Sequence, residues 1–259
     1  MPISIAENRD CMDAMKEFPD KFFDLAVVDP PYGDGCSQTV KVERERERAE
    51  TEEPLRGQIR QIQNTRVHRL GNAGAWSVQN RGNVGCEVLK KIITWDIAPG
   101  QEYFDELFRV SRNQIIWGGN YFSLPPTRCF LIWRKTNVPE DFSMAMAEYA
   151  WTSFNDNAKV FDFSAVGQKG RFHPTQKPIS LYTWILNNYA KSGMKIIDTH
   201  LGSGSSRIAA YEAGIDFYGY EIDKTYFELQ EERFAKHTQQ TNLFIDFDES
   251  SNQQFEIEL

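Results

Sequence analysis

The last third of the chain alternates short apolar segments with amphipathic ones, and this alternation restricts the possible folds more than any other feature. The pattern predicts strands at residues 195–198 and 216–221, and helices at residues 205–213 and 224–236. Successive strands separated by helices run parallel, because each helix carries the chain back across the sheet. The sequence therefore predicts an α/β fold with a mostly parallel, doubly wound sheet.

The earlier part of the chain shows the same alternation of apolar and amphipathic segments. It predicts strands at residues 24–28, 114–117 and 130–133, a further element at 144–151, and helices at 102–110 and 178–189. The chain has 259 residues, of which 41% are hydrophobic. This length and composition suit one large α/β domain and exclude a disordered, collagenous or coiled-coil chain.

Two regions depart from the alternation of predicted strands and helices. Residues 34–93 contain few large apolar side chains and predict an insertion in the form of a solvated loop. Within it, residues 55–91 carry seven basic side chains and one acidic one, a balance of +6, although the whole chain has a net charge of -8. Residues 239–259 are polar and acidic and predict an extended or poorly ordered tail. The charge is therefore polarised along the chain.

Several classes of protein do not fit the sequence. No apolar run approaches the roughly 18 residues of a membrane span, and Glu7 and Asp10 do not fit a secretory signal, so we expect a cytoplasmic protein without a membrane partner. The four cysteines are too far apart for a zinc ribbon or a disulfide framework. No other metal-ligating constellation is present, and no metal is expected.

A glycine-rich turn joins a predicted strand to a predicted helix. Gly202, Ser203 and Gly204 let the backbone approach a ligand beside a helix N-terminus. Such a turn alone often serves only to pack helix on sheet. However, the next strand ends in Glu221, 17 residues after Gly204, which is near the spacing at which an acid meets the hydroxyls of a bound ribose. The combination favours a nucleoside cofactor.

The strand predicted at residues 24–28 ends in Asp29, Pro30, Pro31 and Tyr32. Ligands of open α/β sheets bind at the carboxyl ends of strands. Two prolines make a stiff loop that can present the Asp29 carboxylate and the Pro30 carbonyl as fixed acceptors, beside the flat ring of Tyr32. This arrangement suits an exocyclic aromatic amine on a stacked ring. The alternative is an ordinary proline turn with an Asp cap.

Four motifs in order resemble the S-adenosylmethionine-dependent DNA amino-methyltransferases, which methylate adenine N6 or cytosine N4. They are Asp-Pro-Pro-Tyr at 29–32, His-Pro-Thr-Gln-Lys-Pro at 173–178, Asp-Thr-His-Leu-Gly-Ser-Gly-Ser at 198–205, and Gly-Tyr-Glu-Ile-Asp at 219–223. With the catalytic motif before the cofactor motif, the order is similar to that of the β group, whose sheet is circularly permuted. The resemblance implies a Rossmann-like methyltransferase fold and covers most of residues 1–33 and 94–236.

The resemblance also implies residue roles. Asp29, Pro30, Pro31 and Tyr32 would hold and stack the flipped base. S-adenosyl-L-methionine would be the cofactor, with Glu221 on its ribose. Its methionine part would lie near the remaining residues of the predicted cofactor site, which are Asp198, Gly202, Ser203, Gly204, Thr175 and Lys177.

One motif departs from the family pattern. Thr199 and His200 stand where the family commonly has Pro and Phe, so an aromatic contact there has to come from His200 or from another ring, with Phe104, Trp117 and Phe217 as candidates.

Double-stranded DNA is the expected substrate. Arg56, Arg60, Arg66 and Arg69 are candidates for contacting its phosphates, and residues 136–172 are the predicted target-recognition segment. Because Asp rather than Ser begins the motif at 29–32, the interpretation is adenine-N6 methylation in a restriction-modification setting. Transfer to cytosine N4, to RNA adenine or to protein glutamine, and a catalytically silent DNA-binding partner, stay open as alternatives. Two further partners are also compatible: a second copy in a homodimer and a cognate restriction enzyme.

Overall fold

The computed structural model describes residues 2–33, 97–139, 145–164 and 171–255. The predicted insertion at 34–93 lies outside these residues. Two pieces of the predicted target-recognition segment, residues 140–144 and 165–170, lie outside them as well.

The described residues form eight strands and five α-helices, which alternate except that the third to sixth strands follow one another without an α-helix between them. The strands are β1 (Ser4–Glu7), β2 (Phe23–Val28), β3 (Ser111–Trp117), β4 (Phe130–Lys135), β5 (Ala147–Thr152), β6 (Lys159–Phe163), β7 (Lys195–Asp198) and β8 (Asp216–Tyr220). The helices are α1 (Cys11–Met15), α2 (Gln101–Val110), α3 (Ile179–Tyr189), α4 (Ser205–Glu212) and α5 (Lys224–Phe255), with a 3-10 turn at Gly119–Tyr121.

All eight strands belong to one sheet, in the order β1-β8-β7-β2-β3-β5-β4-β6. Of these strands, β5 alone runs antiparallel to its neighbours, β3 and β4, while every other pairing is parallel. The mostly parallel α/β sheet predicted from the sequence is thereby confirmed. The amino end of β5 lies at the sheet edge where the other strands have their carboxyl ends.

The core consists of two apolar layers, one on each face of the sheet. In β2, Leu25 and Val27 pack in the layer that contains α3 side chains, whereas Ala26 and Val28 pack in the layer that contains α2 side chains. Successive side chains of a strand point to opposite faces, so a strand covered on both faces is apolar throughout. The uninterrupted apolar run at residues 24–28 is therefore the signature of a central strand.

Three elements were not predicted, and one prediction was wrong. The unpredicted elements β1, α1 and β6 are short and carry polar residues along part of their length, so their sequences show no clear apolar pattern. The acidic tail does not become extended at residue 239, because α5 continues to Phe255. No glycine or proline interrupts the chain from Lys224 to Phe255, and a polar composition alone does not end a helix. None of the described helices is long and apolar enough to cross a membrane.

Candidate active site

The sheet order brings the predicted motifs to one edge of the molecule. Strand β7 lies between β2 and β8, and the three strands are mutually parallel. Their carboxyl ends therefore meet, with Asp29 following β2, Asp198 at the end of β7 and Glu221 following β8. Ligand sites of open α/β sheets form at such an edge.

The turn after β7 is held to the end of β8 by the Glu221 carboxylate. Gly202 and Gly204 have φ values of +51° and +70°, which glycine adopts far more readily than other residues. The backbone N–H of Gly202 donates to Oε2 of Glu221 at 2.8 Å, and the N–H of Asp223 donates to Oε1 at 2.9 Å. Burial raises the pKa of Glu221, although these backbone donors act in the opposite direction. Glu221 is thus fixed beside the turn, with lone pairs left for another donor.

Asp198 is a buried carboxyl group at the end of β7. It accepts hydrogen bonds from the backbone N–H of His200, at 3.1 Å, and from the hydroxyl of Ser206. Burial raises its pKa to about 7, and the nearby negative charges of Asp29 and Glu221 act in the same direction. A bound cation would favour the ionised carboxylate, so this group suits a ligand that carries an ammonium.

Thr199 and His200, which depart from the family pattern, pack against α2. The hydroxyls of Thr199 and Tyr103 are 2.6 Å apart, and Oγ1 of Thr199 is 3.0 Å from Nδ1 of His200. The rings of His200 and Tyr103 meet edge to face at 5.4 Å. Burial lowers the pKa of His200 to about 4, so this imidazole is neutral at physiological pH. Thr199 and His200 therefore form a small hydrogen-bonded cluster with Tyr103.

Residues 29–32 form a compact group after β2. The hydroxyl of Tyr32 donates to Oδ1 of Asp29 at 3.0 Å, and the Tyr32 ring stacks on Tyr121 with a centroid distance of 4.7 Å and an interplanar angle of 14°. Gly118 lies directly against this ring, since a Cβ added there would sit 2.0 Å from Cε1 of Tyr32. Pro30, between Asp29 and Tyr32 in the sequence, is buried. The tyrosine ring is consequently fixed in orientation.

Lys177 lies beside Asp29. Its ammonium donates to Oδ2 of Asp29 and lies 3.2 Å from Oε2 of Glu148, whose Oε1 is in turn 2.7 Å from Nζ of Lys135. Burial alone would lower the pKa of Lys177, but the two carboxylates raise it above its usual value. Sequence reasoning missed Glu148 and Lys135, because neither belongs to a motif that carries a recognisable signal.

These four groups form a buried row of alternating charge, Asp29–Lys177–Glu148–Lys135. Burial raises the pKa of Asp29, and Lys177 only partly offsets this effect. For Glu148, burial is outweighed by the two lysines, and its pKa lies below the usual value. Buried charges of this kind persist only when they are paired.

The segment before α3 joins the two halves of the site. Thr175 is exposed, with its hydroxyl 3.2 Å from Nδ1 of His173. The His173 ring contacts Tyr226 at 4.4 Å and lies next to Gly202, where an added Cβ would be 3.3 Å from it. Burial lowers the pKa of His173 to about 3, so this ring is neutral. Residues 173–177 thus run from the glycine turn to Asp29.

The structure therefore brings together all the predicted catalytic and cofactor-binding residues at one edge. The candidate DNA-binding residues Arg56, Arg60, Arg66 and Arg69 lie outside the described residues.

Residues 147–232 match the model of a family described as DNA methylase, which comprises N6 and N4 enzymes. The matched stretch begins at β5 and contains residues 173–178, the glycine turn and Glu221. Over this stretch, the chain matches the N6/N4 DNA methylase family. Enzymes of this family take their methyl group from S-adenosylmethionine. The family predicted from the four motifs is confirmed.

Known members of the DNA methylase group resemble this chain over most of its length. The Type II methyltransferase M2.MboI of Moraxella bovis is 25% identical over 252 residues, which cover 88% of this chain and 86% of that protein. The cytosine-N4-specific PvuII DNA methyltransferase superposes with a TM-score of 0.51 at 10% identity, and the match covers 92% of each chain. The complex of M1.HpyAVI with SAM has a TM-score of 0.46 at 15% identity, over 90% of this chain and 98% of that chain. The fold is that of the Rossmann-like methyltransferases.

Proposed function

We propose that this DNA methyltransferase moves the methyl group of S-adenosylmethionine to the exocyclic N6 of an adenine flipped out of double-stranded DNA. The observation that carries the proposal is the position of Asp29. Its carboxylate is held by Tyr32 and Lys177 at the carboxyl end of β2, with one lone pair on each oxygen left to accept from an amine. Adenine N6 and cytosine N4 both offer such an amine. The Asp that begins the motif, and the larger purine face for stacking on Tyr32, favour adenine.

The proposed chemistry requires positioning more than acid or base strength. The cofactor supplies a methyl group already activated on a sulfonium, so the protein has to align the amine with it. Asp29 and the Pro30 carbonyl accept the two N–H groups, which favours a more nucleophilic nitrogen while positive charge develops. Pro31 keeps this loop stiff, and Tyr32 stacks on the base. The spare amine proton then leaves to Asp29 or to water.

The residues around the glycine turn fit the cofactor. Glu221 offers two acceptor oxygens, which suit the two hydroxyls of a ribose, and Asp198 is buried where an ammonium would favour its ionised form. The positive φ angles at Gly202 and Gly204 allow the backbone on either side of Ser203 to approach a ligand closely. Thr175 is exposed at the same edge and is the proposed contact to the methionine end, together with Lys177.

The base assignment is tested by the product. DNA methylated by the purified protein, digested to nucleosides and separated by mass spectrometry, should contain N6-methyladenine and no N4-methylcytosine. Asp29→Ala, prepared in parallel, should yield neither. A product dominated by N4-methylcytosine would overturn the adenine assignment but leave the fold, the family and the cofactor unchanged. Binding of S-adenosylmethionine without transfer to any DNA would favour the silent-partner alternative.

The DNA contacts are proposed from charge. Arg56, Arg60, Arg66 and Arg69 belong to the stretch with a balance of +6, and residues 136–172 are the proposed target-recognition segment. Each phosphate contact releases counterions and steepens the salt dependence of binding. Changing the four arginines together to glutamine should weaken binding to all DNA sequences and reduce the salt slope by up to about 4 in log–log form. An unchanged slope would show that these arginines do not contact phosphate.

A further inference from the structure

Glu148 reaches the active site from the antiparallel strand. It is the second residue of β5, and in the register of the sheet it lies opposite Trp133 of β4. Because β5 runs against β3 and β4, its first residues lie at the edge where the other strands end. Glu148 is therefore near the end of β2, although it is 119 positions away from Asp29 in the sequence.

The ammonium of Lys177 interacts with two carboxylates, those of Asp29 and Glu148. Lys177 donates to Oδ2 of Asp29 and lies 3.2 Å from Oε2 of Glu148. The side chain of Lys177 is 3% exposed, so water cannot replace either partner. If Glu148 were uncharged, the whole electrostatic attraction of Lys177 would act on Asp29.

The lysines on both sides of Glu148 are themselves held in place. Nζ of Lys177 lies 5.3 Å from the ring centroid of Trp117, and Nζ of Lys135 lies 5.1 Å from that of Trp133. Cations over indole faces are attracted by the ring quadrupole. With two carboxylates and two ammoniums, the row carries no net charge, and each inner member has a partner on both sides.

We propose that Glu148 is a positioning residue for methyl transfer, which shares the ammonium of Lys177 with Asp29 and so preserves part of the acceptor strength of the Asp29 carboxylate. This inference rests on the proposed function of Asp29 as the acceptor of the amine. A carboxylate fully paired with a buried ammonium is a weaker acceptor for a second donor. The contribution of Glu148 is therefore greatest when positive charge develops on the amine nitrogen.

A pH profile separates this role from a purely structural one. The charged and titratable groups that surround Asp29 are Lys177, Tyr32, Glu148, Tyr182 of α3, Asp198 of β7 and Tyr103 of α2. Among them, Glu148 raises the pKa of Asp29 through its negative charge. Removing that charge lowers the pKa of Asp29, so the acidic limb of the rate profile should move to lower pH while the maximal rate falls.

The test compares Glu148→Gln with the unmodified protein. The variant should lower kcat roughly tenfold to a hundredfold, which is less than the loss of a direct transition-state partner. KM for S-adenosylmethionine and for DNA should change by no more than a few-fold, and the acidic limb of kcat should shift downward in pH. Glu148→Asp retains the charge and should recover part of the rate and the original position of the limb.

Two control variants separate positioning from folding. Glu148→Gln leaves the buried Lys135 without its carboxylate, so the double variant Glu148→Gln with Lys135→Met removes that unpaired charge. It should recover thermal stability but not kcat. Glu106→Gln, which breaks an ion pair with Arg109 on α2, should leave kcat and its pH profile unchanged.

The outcomes are distinct. Recovery of kcat in the double variant would show that Glu148 only balances Lys135, and an unshifted acidic limb in Glu148→Gln would show that it does not act on Asp29. Either result overturns the inference and leaves the proposed function in place. Absence of transfer by the unmodified protein would overturn the proposed function itself. Transfer to cytosine N4 would leave the test of Glu148 valid, because the acceptor is still Asp29.

Discussion

The two halves of the candidate active site are held together in different ways. Around Glu221 the carboxylate is bound by backbone N–H groups of Gly202 and Asp223, within a stretch of 22 residues. Around Asp29 the partners are side chains, and Lys177 comes from 148 positions away. The half near β8 is therefore a local backbone structure, whereas the half near β2 is a charge arrangement assembled by the tertiary fold.

This difference has consequences for how each half responds to change. Backbone donors do not titrate and are retained in every substitution except one to proline, so the glycine turn should tolerate changes of nearby side chains. The row that contains Asp29 depends on four ionisable side chains, and the loss of one removes a partner from each of its buried neighbours. We expect the catalytic half to respond more strongly to substitution and the cofactor half to respond mainly through cofactor affinity.

The largest expected effect separates the two halves by substituting one carboxylate in each. Asp29→Ala should reduce methyl transfer at least about 100- to 1,000-fold, because it removes a preorganised acceptor. Its affinity for S-adenosylmethionine should stay within a few-fold, since Lys177 keeps Glu148 as a partner. Glu221→Ala should instead weaken cofactor binding by about 10- to 100-fold, the effect of losing hydrogen bonds to a charged group.

Calorimetry with S-adenosylmethionine and single-turnover transfer to DNA measure the two effects. An equal loss of cofactor affinity in both variants would contradict the division of the site. Thermal unfolding of both variants serves as the control for folding.

The second effect is a pH dependence confined to the cofactor half. Because the pKa of Asp198 is raised to about 7, most of this carboxyl is protonated at pH 5.5 and must lose its proton to face an ammonium. Binding then releases a proton, so affinity for S-adenosylmethionine should rise roughly tenfold between pH 5.5 and 7. Without cofactor, the same raised pKa makes the free energy of unfolding fall as pH rises from about 4 to 7.

Asp198→Asn is the matched control for this pH effect. It cannot titrate, so its affinity for the cofactor should be weaker and should vary less with pH over the same range. A profile in Asp198→Asn as steep as that of the unmodified protein would assign the titration to another group.

The smallest effect compares two glycines with the same backbone conformation. Gly118 and Gly214 have φ values of +68° and +67°, but a Cβ at Gly118 would overlap the Tyr32 ring, while at Gly214 it would meet nothing within 4 Å. Gly214→Ala should cost about 1 kcal/mol of stability through backbone strain alone and leave transfer unchanged. Gly118→Ala should also slow transfer severalfold, because Tyr32 has to move. Equal rates for the two variants would show that the orientation of Tyr32 does not matter.

The sequence by itself determined the strands and helices that build the catalytic edge. The apolar run of β2, the glycine turn and the acid after β8 are local patterns, and parallel strands bring their carboxyl ends together whatever the intervening chain does. For that reason Asp29, Asp198 and Glu221 could be placed at one edge before the structure was known. The residues of the motif at 173–178 could be expected near the same edge.

The partners of Asp29 were decided by the tertiary structure alone. Whether Lys177 meets a carboxylate of the protein depends on how the segment before α3 crosses the edge, and Glu148 reaches the site only because β5 runs antiparallel between β3 and β4. Strand direction and order depend on long-range pairing and leave no trace in the few residues around Glu148. Glu148 is 119 positions away from Asp29 in the sequence, and no local pattern connects residues so far apart. The roles of Glu148 and of its partner Lys135 therefore follow only from the assembled sheet.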